Sequence, residues 1–203
     1  MKQLVIIGAG GHGRVVKDVA ECVGYDNIIF LDDSEKSNPA VVGRTDEFEC
    51  YINSSDFFVA IGNSEVRERI SNILITKGAN IVTLIHPMSA VSKSSKIGWG
   101  VVVMAGAVVN ADSVIGNGVI VNTCASVDHD SIVNEFAHVS VGAHVCGAVT
   151  IGKYVWIGAG ATIINNISIC NDCIVGAGAV VINDIAECGT YVGAPARLIK
   201  GRY

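Results

Sequence analysis

The sequence of 203 residues lacks the features typical of nucleic-acid-binding and membrane proteins. Its 14 Lys and Arg stand against 19 Asp and Glu and give a net charge of −5. Because a nucleic-acid interface normally needs a basic field, we expect no nucleic-acid partner. Although 50% of the residues are apolar, no uninterrupted apolar run approaches the length of a membrane-spanning helix. We therefore expect no membrane segment, and a core sufficient for one large or two small domains.

The cysteines do not form the pattern of a disulfide-stapled or metal-binding domain. There are seven of them, which is an odd number. The first apolar run leads directly into a glycine cluster rather than into a signal-peptide cleavage site, so we expect reduced thiols and a cytoplasmic location. Cys170 and Cys173 form a Cys-x-x-Cys pair. No second pair of ligands accompanies it, so we expect no metal.

Leucine is absent between Ile85 and Arg197, which argues against helices in that part of the chain. In its place, a β-branched aliphatic residue recurs at every sixth position from Val91 to Val181. A period of six fits neither an α-helix nor an alternating strand. It fits a coil with three flat sides, each of which carries one inward aliphatic residue and, four positions later, one residue that is mostly small. The sequence therefore predicts a parallel β-helix of hexapeptide repeats, with about 18 residues per coil and roughly five coils.

The first 85 residues have a different pattern, in which short apolar runs alternate with helical segments. A buried strand at 2–7 leads into a G-x-G-x-x-G turn, Gly8–Gly13, and then into a helix. Further elements are predicted as strands at 27–31, 56–61 and 81–85, and a helix at 64–77. This β-α-β-β-α-β order predicts a small Rossmann-like α/β domain at 1–85. A β-helix domain with a C-terminal cap is predicted at 86–203.

Three loops predict a nucleotide site in the first domain. The glycine turn precedes a helix, whose N-terminus can bind a phosphate. Asp32 and Asp33 follow the second strand about twenty residues further on, where a carboxylate holds a ribose hydroxyl in dinucleotide-binding folds. Gly62 ends a neighbouring strand. The domain is too short for a dinucleotide site, so we expect one nucleotide or diphosphate; the alternative is a tight turn that binds no ligand.

The β-helix has few charged residues, so the polar residues that interrupt it are candidates for chemistry. His129 stands between the carboxylates of Asp128 and Asp130. An imidazole with an ordinary pKa near 6.5 can take the proton from an amine that attacks a thioester, and a neighbouring carboxylate can orient the ring. Backbone N–H groups or a second histidine could donate to the thioester oxygen as it becomes negative. We therefore expect His129 to act as a general base.

Together these motifs resemble a known family. Gly-Ala-Gly-Gly-His-Gly, Phe-Leu-Asp-Asp and Ala-Ile-Gly-Asn in the first domain, and Asn-Thr, His-Asp and Glu-Phe-Ala-His-Val-Ser-Val-Gly in the second, are similar to sugar O- and N-acetyltransferases of the sialic acid acetyltransferase type. Within that family the resemblance is to bacterial enzymes that acetylate UDP-linked 4-amino sugars in bacillosamine synthesis. It extends over essentially the whole chain. It implies a left-handed β-helix and acetyl-coenzyme A as cosubstrate.

The resemblance also implies roles for individual residues. His129 would be the general base and Asp130 its carboxylate partner, where the related enzymes have Glu. His138 would contact acetyl-coenzyme A near its thioester, and Asn122 would line the acceptor pocket. The pantetheine groove would be lined by Gly147, Ala159 and Ala177. The uridine diphosphate part would be held by Gly10, Gly11, His12, Asp32, Asp33 and Gly62.

The same resemblance implies a homotrimer with its active site between the β-helices. The sequence supports association indirectly, because some aliphatic residues next to the inward positions are expected to be exposed and to lack a partner within one chain. These residues are Val102, Val108, Val114 and Ile120.

The sequence leaves several functions open. The leading interpretation is transfer of an acetyl group from acetyl-coenzyme A to the 4-amino group of a UDP-linked 4-amino-4,6-dideoxy sugar. The acceptor could instead be a sialic acid hydroxyl or an aminosugar linked to GDP or dTDP. A different class is a zinc hydratase of the γ-carbonic anhydrase type, with His129, His138 and His144 as ligands. A non-catalytic scaffold or nucleotide-sugar sensor is a further alternative.

Overall fold

The structure, a computed structural model, describes residues 3–34 and 38–199 and divides into two compact units between Pro87 and Met88. The sequence predicts this boundary between residues 85 and 86. Lys2 of the predicted first strand and residues 200–203 of the predicted C-terminal cap lie outside the described residues.

The first unit is built on a parallel sheet of five strands. In spatial order they are Val41–Gly43, Ile28–Leu31, Gln3–Ile7, Ser55–Val59 and Asn80–Ile81. The unit also contains α-helices Gly11–Cys22 and Ser64–Thr76, the 3-10 helix Thr45–Tyr51 and the short strand Leu84–Ile85. This is the predicted Rossmann-like arrangement.

The central strand, Gln3–Ile7, shows why this part of the chain forms a parallel sheet. Its last four residues are fully buried, and a strand that is covered on both faces needs continuous apolar residues instead of alternation. Each buried aliphatic side chain contributes about 1.5–3 kcal/mol of hydrophobic stabilisation. The carboxyl end of this strand is therefore firmly held at the point where the glycine turn begins.

The segment after the second strand is more ordered than the sequence predicts. Residues 34–54 are polar and lack a clear period, yet they form the edge strand Val41–Gly43 and the 3-10 helix Thr45–Tyr51. The strand has only three residues, too few to show an alternating pattern. The 3-10 helix places Phe48 in the core of the sheet, and Tyr51 packs against the same core, so two aromatic residues anchor it.

The second unit is a left-handed parallel β-helix of two-residue strands that recur every six residues. The first face consists of Ala90–Val91, Val108–Val109, Ser126–Val127, His144–Val145, Thr162–Ile163 and Val180–Val181. The second face consists of Lys96–Ile97, Val114–Ile115, Ile132–Val133, Thr150–Ile151 and Ser168–Ile169. The third face contains Val102–Val103, Ile120–Val121, His138–Val139, Trp156–Ile157 and Ile174–Val175, then Thr190–Val192 and Arg197–Leu198.

The inward positions of the β-helix form one continuous core, as the six-residue period predicts. The aliphatic residues and the mostly small residues four positions later are buried together from Val101 to Val181. Two of the small positions carry serine, and the chain satisfies these buried hydroxyls locally. Ser113 Oγ donates to the Asn110 carbonyl at 2.8 Å, and Ser131 Oγ donates to the Cys146 carbonyl at 2.9 Å.

The corners of the β-helix impose a left-handed backbone at regular intervals. From residue 100 to residue 178 every sixth residue has a positive φ, between 55° and 70°. Six of these residues are glycine and eight are not. Asp130, with φ 58°, is one of the eight, and Asp and Asn tolerate this conformation better than most residues.

Two of the aliphatic residues that were expected to be exposed are buried. Val102 is 0% exposed and Ile120 is 1% exposed within the chain itself, whereas Val108 and Val114 are half-buried. The prediction of an exposed stripe was therefore wrong for Val102 and Ile120, which lends the homotrimer no support. No helix among residues 3–34 and 38–199 is long and apolar enough to cross a membrane.

Candidate active site

His129 lies at the corner of the β-helix between the first and second faces. Its ring Nδ1 is 2.8 Å from Oδ2 of Asp130, and its backbone N–H donates to Oδ1 of Asp128 at 2.8 Å. The side chain of His129 is 59% exposed. The corner thus presents an imidazole to solvent and holds one edge of its ring against a carboxylate.

The two carboxylates give His129 the electrostatics of a base. The hydrogen bond to Asp130 raises the pKa of His129, and the charge of Asp128 raises it further. The backbone N–H of His129 and the amide of Asn110, 2.8 Å away, lower the pKa of Asp128 and keep that carboxylate ionised. When Nδ1–H donates to Asp130, the lone pair of Nε2 is the atom that can accept a proton.

Gly147 lies directly against the ring of His129. A Cβ atom at residue 147 would be 2.6 Å from Nε2 and 2.7 Å from Cε1 of His129. The two residues occupy equivalent corners of successive coils, and the N–H of Ala148 donates to the His129 carbonyl at 2.9 Å. The missing side chain of Gly147 therefore makes room for the imidazole. The coil period of the sequence could have revealed this contact.

A second polar group lies on the third face and at the corner between the third and first faces. Asn122 Nδ2 is 3.0 Å from Nε2 of His138. The ring of His138 is parallel to the indole of Trp156, with centroids 6.3 Å apart and an interplanar angle of 6°. Trp156 Nε1 donates to Ser140 Oγ at 2.7 Å. The sequence motifs indicated Asn122 and His138 but not Trp156, which is half-exposed.

The residues predicted to line the pantetheine groove do not lie at one corner of the chain. Ala159 and Ala177 are both exposed and lie one coil apart at the corner between the third and first faces, where the Gly178 N–H donates to the Ala159 carbonyl at 2.9 Å. Gly147 is buried and lies at the corner between the first and second faces. The predicted residues of the β-helix therefore form two groups: His129 with Asp130 and Gly147, and the group formed by Asn122, His138, Ala159 and Ala177.

The three histidines that a zinc hydratase would need are engaged at three separate places. His129 contacts Asp130, His138 contacts Asn122, and His144 Nδ1 is 2.8 Å from Oγ of Ser126 on the first face. Across residues 3–34 and 38–199, no group of three or more His, Cys, Asp or Glu is arranged to hold a metal ion. The arrangement of these histidines gives the hydratase no support.

The Cys-x-x-Cys pair is part of the solenoid core. The sulfur atoms of Cys170 and Cys173 are 3.4 Å apart, and Cys173 is fully buried. Burial and the neighbouring Cys170 thiol raise the pKa of Cys173 to about 12. A thiol with so high a pKa is a poor nucleophile and a poor metal ligand.

In the first unit, the glycines of the G-x-G-x-x-G turn have two different roles. A Cβ atom at Gly13 would be 2.0 Å from the Gly8 carbonyl oxygen, and Gly8 itself has φ +102°. These two glycines allow the helix to pack against the strand. A Cβ atom at Gly10 or Gly62, by contrast, would meet none of the described residues within 4 Å beyond its chain neighbours, and one at Gly11 would meet only the end of the Arg14 side chain at 3.9 Å. These three glycines leave open space where a ligand can approach the backbone.

The two predicted ribose-binding carboxylates have partners within the protein. Asp32 Oδ2 accepts a hydrogen bond from the N–H of Ala9 at 2.7 Å, and its Oδ1 accepts from the N–H and Oγ of Ser34 at 2.8 and 2.9 Å. Asp32 thus fixes the glycine turn. Asp33 is more exposed and accepts from the N–H of Thr45 at 3.1 Å, which leaves its other oxygen accessible to a ligand.

His12 lies in the first turn of helix Gly11–Cys22, beside the buried guanidinium of Arg67. Its Nε2 is buried and has no hydrogen-bond partner among the described residues. Burial, together with the charge of Arg67, lowers the pKa of His12 to about 4. His12 is therefore neutral at physiological pH.

No sequence motif indicated Arg67. Only 1% of it is exposed, and its guanidinium donates to the carbonyls of Ile61 and Gly62 at 2.8 and 3.0 Å. Burial lowers the pKa of Arg67 to about 10, so it stays charged. It holds the loop that contains Gly62 against helix Ser64–Thr76, whose N-cap is Asn63.

Two domain families match the chain. The PglD N-terminal domain matches residues 3–74, and the bacterial transferase hexapeptide repeats (six repeats) match residues 148–183. The first match contains the glycine turn, Asp32 and the loop at Gly62. The second contains the last coils of the β-helix.

Solved structures match over the whole chain. The acetyltransferase domain of PglB from Neisseria gonorrhoeae FA1090, in complex with acetyl coenzyme A, is 42% identical, with a TM-score of 0.93 and coverage of 98% of this chain and 99% of that chain. PerB from Caulobacter crescentus, in complex with CoA and GDP-perosamine, is 35% identical, with a TM-score of 0.91 and coverage of 98% of each chain.

A curated relative matches over a shorter stretch. UDP-N-acetylbacillosamine N-acetyltransferase from Bacillus subtilis (strain 168) is 37% identical over 116 residues, which are 52% of each protein. The chain therefore matches about half the length of this curated relative.

Proposed function

Because this chain belongs to the sugar acetyltransferase family that joins a PglD N-terminal domain to hexapeptide repeats, we propose that it transfers an acetyl group from acetyl-coenzyme A to the amino group of a nucleotide-linked aminosugar. The observation that carries this proposal is the hydrogen bond of 2.8 Å between His129 Nδ1 and Asp130 at an exposed corner. It leaves Nε2 as a proton acceptor that a substrate can reach. Similarity over the whole chain to structures with bound acetyl coenzyme A or CoA supports the donor.

The reaction requires a base at one defined moment. The neutral amine attacks the carbonyl carbon of the thioester, and Nε2 of His129 takes a proton from the nitrogen as the C–N bond forms. The tetrahedral intermediate then expels the thiolate of coenzyme A, which takes the proton, so that the products are the amide and the free thiol. A general base placed in this way contributes about 10²–10⁴-fold to the rate. Asp130 is a positioning residue that orients the imidazole and stabilises its protonated form.

The first unit is proposed to bind the nucleotide part of the acceptor. Gly10, Gly11 and Gly62 leave the backbone open, and the N-terminus of helix Gly11–Cys22 favours a diphosphate. The neutral ring of His12 and the outer oxygen of Asp33 would supply polar contacts. Asp32 would act indirectly, because its carboxylate holds the glycine turn.

The proposed acceptor is the 4-amino group of a UDP-linked 4-amino-4,6-dideoxy sugar. The similarity to the UDP-N-acetylbacillosamine enzyme supports UDP. The similarity to PerB with bound GDP-perosamine makes a GDP-linked aminosugar the second candidate. Whether the nucleotide carries uracil or guanine depends on contacts that the matching domains do not specify.

The coenzyme A groove is proposed to lie between two chains of a homotrimer, in the cytoplasm where acetyl-coenzyme A is made and used. His138, Ala159 and Ala177 lie on one side of the β-helix and Gly147 and His129 at another corner. A groove lined by both groups forms if the corner with His129 and Gly147 in one chain faces the corner with Ala159 and Ala177 in the neighbouring chain. This arrangement would unite the thioester with the base.

The test is the release of free thiol from acetyl-coenzyme A in the presence of UDP-, dTDP- and GDP-linked 4-amino-4,6-dideoxy sugars and of free sialic acid. We expect strong turnover with the UDP-linked sugars. Turnover only with the GDP-linked sugars would show that the acceptor carries GDP instead of UDP, and the proposed acetyl transfer would stand. No thiol release with any of these acceptors would overturn the proposed activity and favour a nucleotide-sugar sensor.

A further inference from the structure

The amide of Asn122 can adopt only one orientation. Its Oδ1 lies 2.8 Å from the backbone nitrogen of Thr123, and a backbone N–H can only donate. The atom facing Thr123 must therefore be the carbonyl oxygen. If the amide were flipped, its NH₂ group would point at an N–H and both donors would lose their acceptor. The NH₂ group of Asn122 consequently faces His138.

This orientation decides where the proton of His138 resides. Asn122 Nδ2 lies 3.0 Å from Nε2 of His138, and an amide NH₂ can only donate. Nε2 must accept, so it carries no proton. A neutral imidazole has one proton, which must then be on Nδ1. A doubly protonated ring would place an N–H against the NH₂ group, which disfavours the charged form.

The plane of His138 is held by its neighbour on the third face. His138 and Trp156 pair in register on successive coils, and their rings are stacked with an interplanar angle of 6°. The indole is fixed in turn by the hydrogen bond from Nε1 to Ser140 Oγ at 2.7 Å. A fixed ring plane gives the Nδ1–H bond a defined direction.

We propose that Asn122 is a positioning residue that holds His138 as the neutral Nδ1–H tautomer, with Trp156 fixing the ring plane. This inference rests on the proposed acetyl transfer. In that reaction His138 would serve as a hydrogen-bond donor to the thioester oxygen, where negative charge develops in the transition state. His129 would act as the base, so the two histidines would divide the proton acceptance and the charge stabilisation between them.

The first test reads the tautomer directly in the protein without substrate. The chain has five histidines, and ¹⁵N-histidine labelling with His138→Gln for assignment separates the signal of His138. We expect a protonated, pyrrole-like Nδ1 and an unprotonated, pyridine-like Nε2. The opposite pattern, or a doubly protonated ring at neutral pH, would overturn the inference even if the protein acetylates aminosugars.

The second test reverses the hydrogen bond without changing the size of the side chain. In Asn122→Asp the carboxylate accepts from Nε2–H, so above the titration midpoint of the ring the proton moves from Nδ1 to Nε2. We expect kcat to fall about 10²-fold there, as for loss of one donor to a developing oxyanion, with the KM for the nucleotide sugar little changed. Cys124→Ser, an exposed substitution at the same corner, is the matched control and should retain kcat.

The outcomes separate this inference from the proposed function. A raised KM with unchanged kcat in Asn122→Asp would show that Asn122 contacts the acceptor and does not act through His138. An Nδ1–H tautomer in a protein that releases no thiol with any acceptor would contradict the proposed function and leave the assignment of the proton intact. Trp156→Ala should broaden the ring orientation and lower kcat, whereas Trp156→Phe, which keeps a stacked ring, should restore most of it.

Discussion

His12 and His129 have the same side chain in opposite surroundings. His12 has a buried nitrogen next to a buried guanidinium, which together lower its pKa to about 4. His129 is exposed between Asp128 and Asp130, which raise its pKa. One imidazole is kept neutral and the other is made more basic. The comparison shows that the role of a histidine is set by the charge of its neighbours and by its burial, and not by the residue type.

The architectures of the α/β unit and of the β-helix explain why His12 and His129 differ in burial and in pKa. In the first unit, His12 in the first turn of helix Gly11–Cys22 lies beside the buried guanidinium of Arg67 on helix Ser64–Thr76, and its Nε2 is shielded from water. Each side of a β-helix coil contributes only two inward residues to the core, and residues at the corners can point towards solvent. A corner residue such as His129 is therefore exposed, and its ring Nδ1 and backbone N–H bind the carboxylates of Asp130 and Asp128, which are beside it in the chain. The proton acceptor of the proposed reaction is therefore the exposed His129 and not His12.

Replacing the exposed histidine should have the largest effect. We expect His129→Ala to lower kcat by about 10²–10⁴-fold, because the base is lost. The folded structure should be retained, since an exposed residue contributes little to stability. Stopped-time thiol release and thermal unfolding measure the two effects. His144→Ala is the matched control, another exposed histidine on the β-helix, and near-normal turnover in His129→Ala would remove this residue as the base.

Replacing His12, whose Nε2 is buried, should change stability and its pH dependence. Between its folded pKa of about 4 and its unfolded pKa near 6.5, His12 binds fewer protons in the folded than in the unfolded protein. Its contribution to stability is therefore complete above pH 6.5 and is lost as the pH falls towards 4, by on the order of 3 kcal/mol. Denaturant unfolding of wild type and His12→Gln over this range should give curves that converge at low pH. Parallel curves would show that His12 titrates normally.

Filling the space beneath the exposed ring should displace the base. In Gly147→Ala the new Cβ would meet the imidazole of His129 at 2.6 Å, and the ring must rotate away. We expect kcat to fall by about 10²-fold, the loss typical of a catalytic group misplaced by about 1 Å. Steady-state kinetics should show a larger change in kcat than in the KM for acetyl-coenzyme A. A change in that KM alone would indicate that Gly147 serves only the groove.

Replacing the carboxylate of Asp130 should bring the pKa of His129 closer to that of His12. Of the substitutions considered, this one should change the rate least. Asn tolerates the positive φ of residue 130 and can still accept from Nδ1–H, so Asp130→Asn changes mainly the charge. Without the carboxylate the pKa of His129 falls. The rising limb of kcat/KM against pH should therefore move to lower pH, with a lower plateau. An unmoved limb would mean that Asp130 does not influence the reacting group.

The regular part of the fold could be predicted from the sequence, because the six-residue period directly reflects the inward positions. The edge strand Val41–Gly43 could not, since three residues carry no period. Nor could the burial of Val102 and Ile120, which depends on what covers the outer surface of the coil.

The residue types of the candidate site were predictable, and so was the contact between His129 and its chain neighbour Asp130, but the contacts in the first unit were not. His129 is marked by its flanking carboxylates in the sequence. Arg67 is hidden among the charged residues of its helix, where no pattern marks the one that points inward. Asp32 has the spacing of a ribose ligand, yet its carboxylate accepts a hydrogen bond from Ala9. Such contacts are made between residues far apart in the chain, and their partners appear only in the fold.

The most direct test of the opposite surroundings of His12 and His129 is a pH titration in which the Cε1–H signals of all histidine rings are monitored by NMR in one sample. His129→Gln and His12→Gln supply the assignments. We predict that His129 titrates with a midpoint above the ordinary value near 6.5, and that His12 stays neutral until the pH approaches about 4. Midpoints that coincide, or a His12 that protonates before His129 as the pH is lowered, would contradict the account.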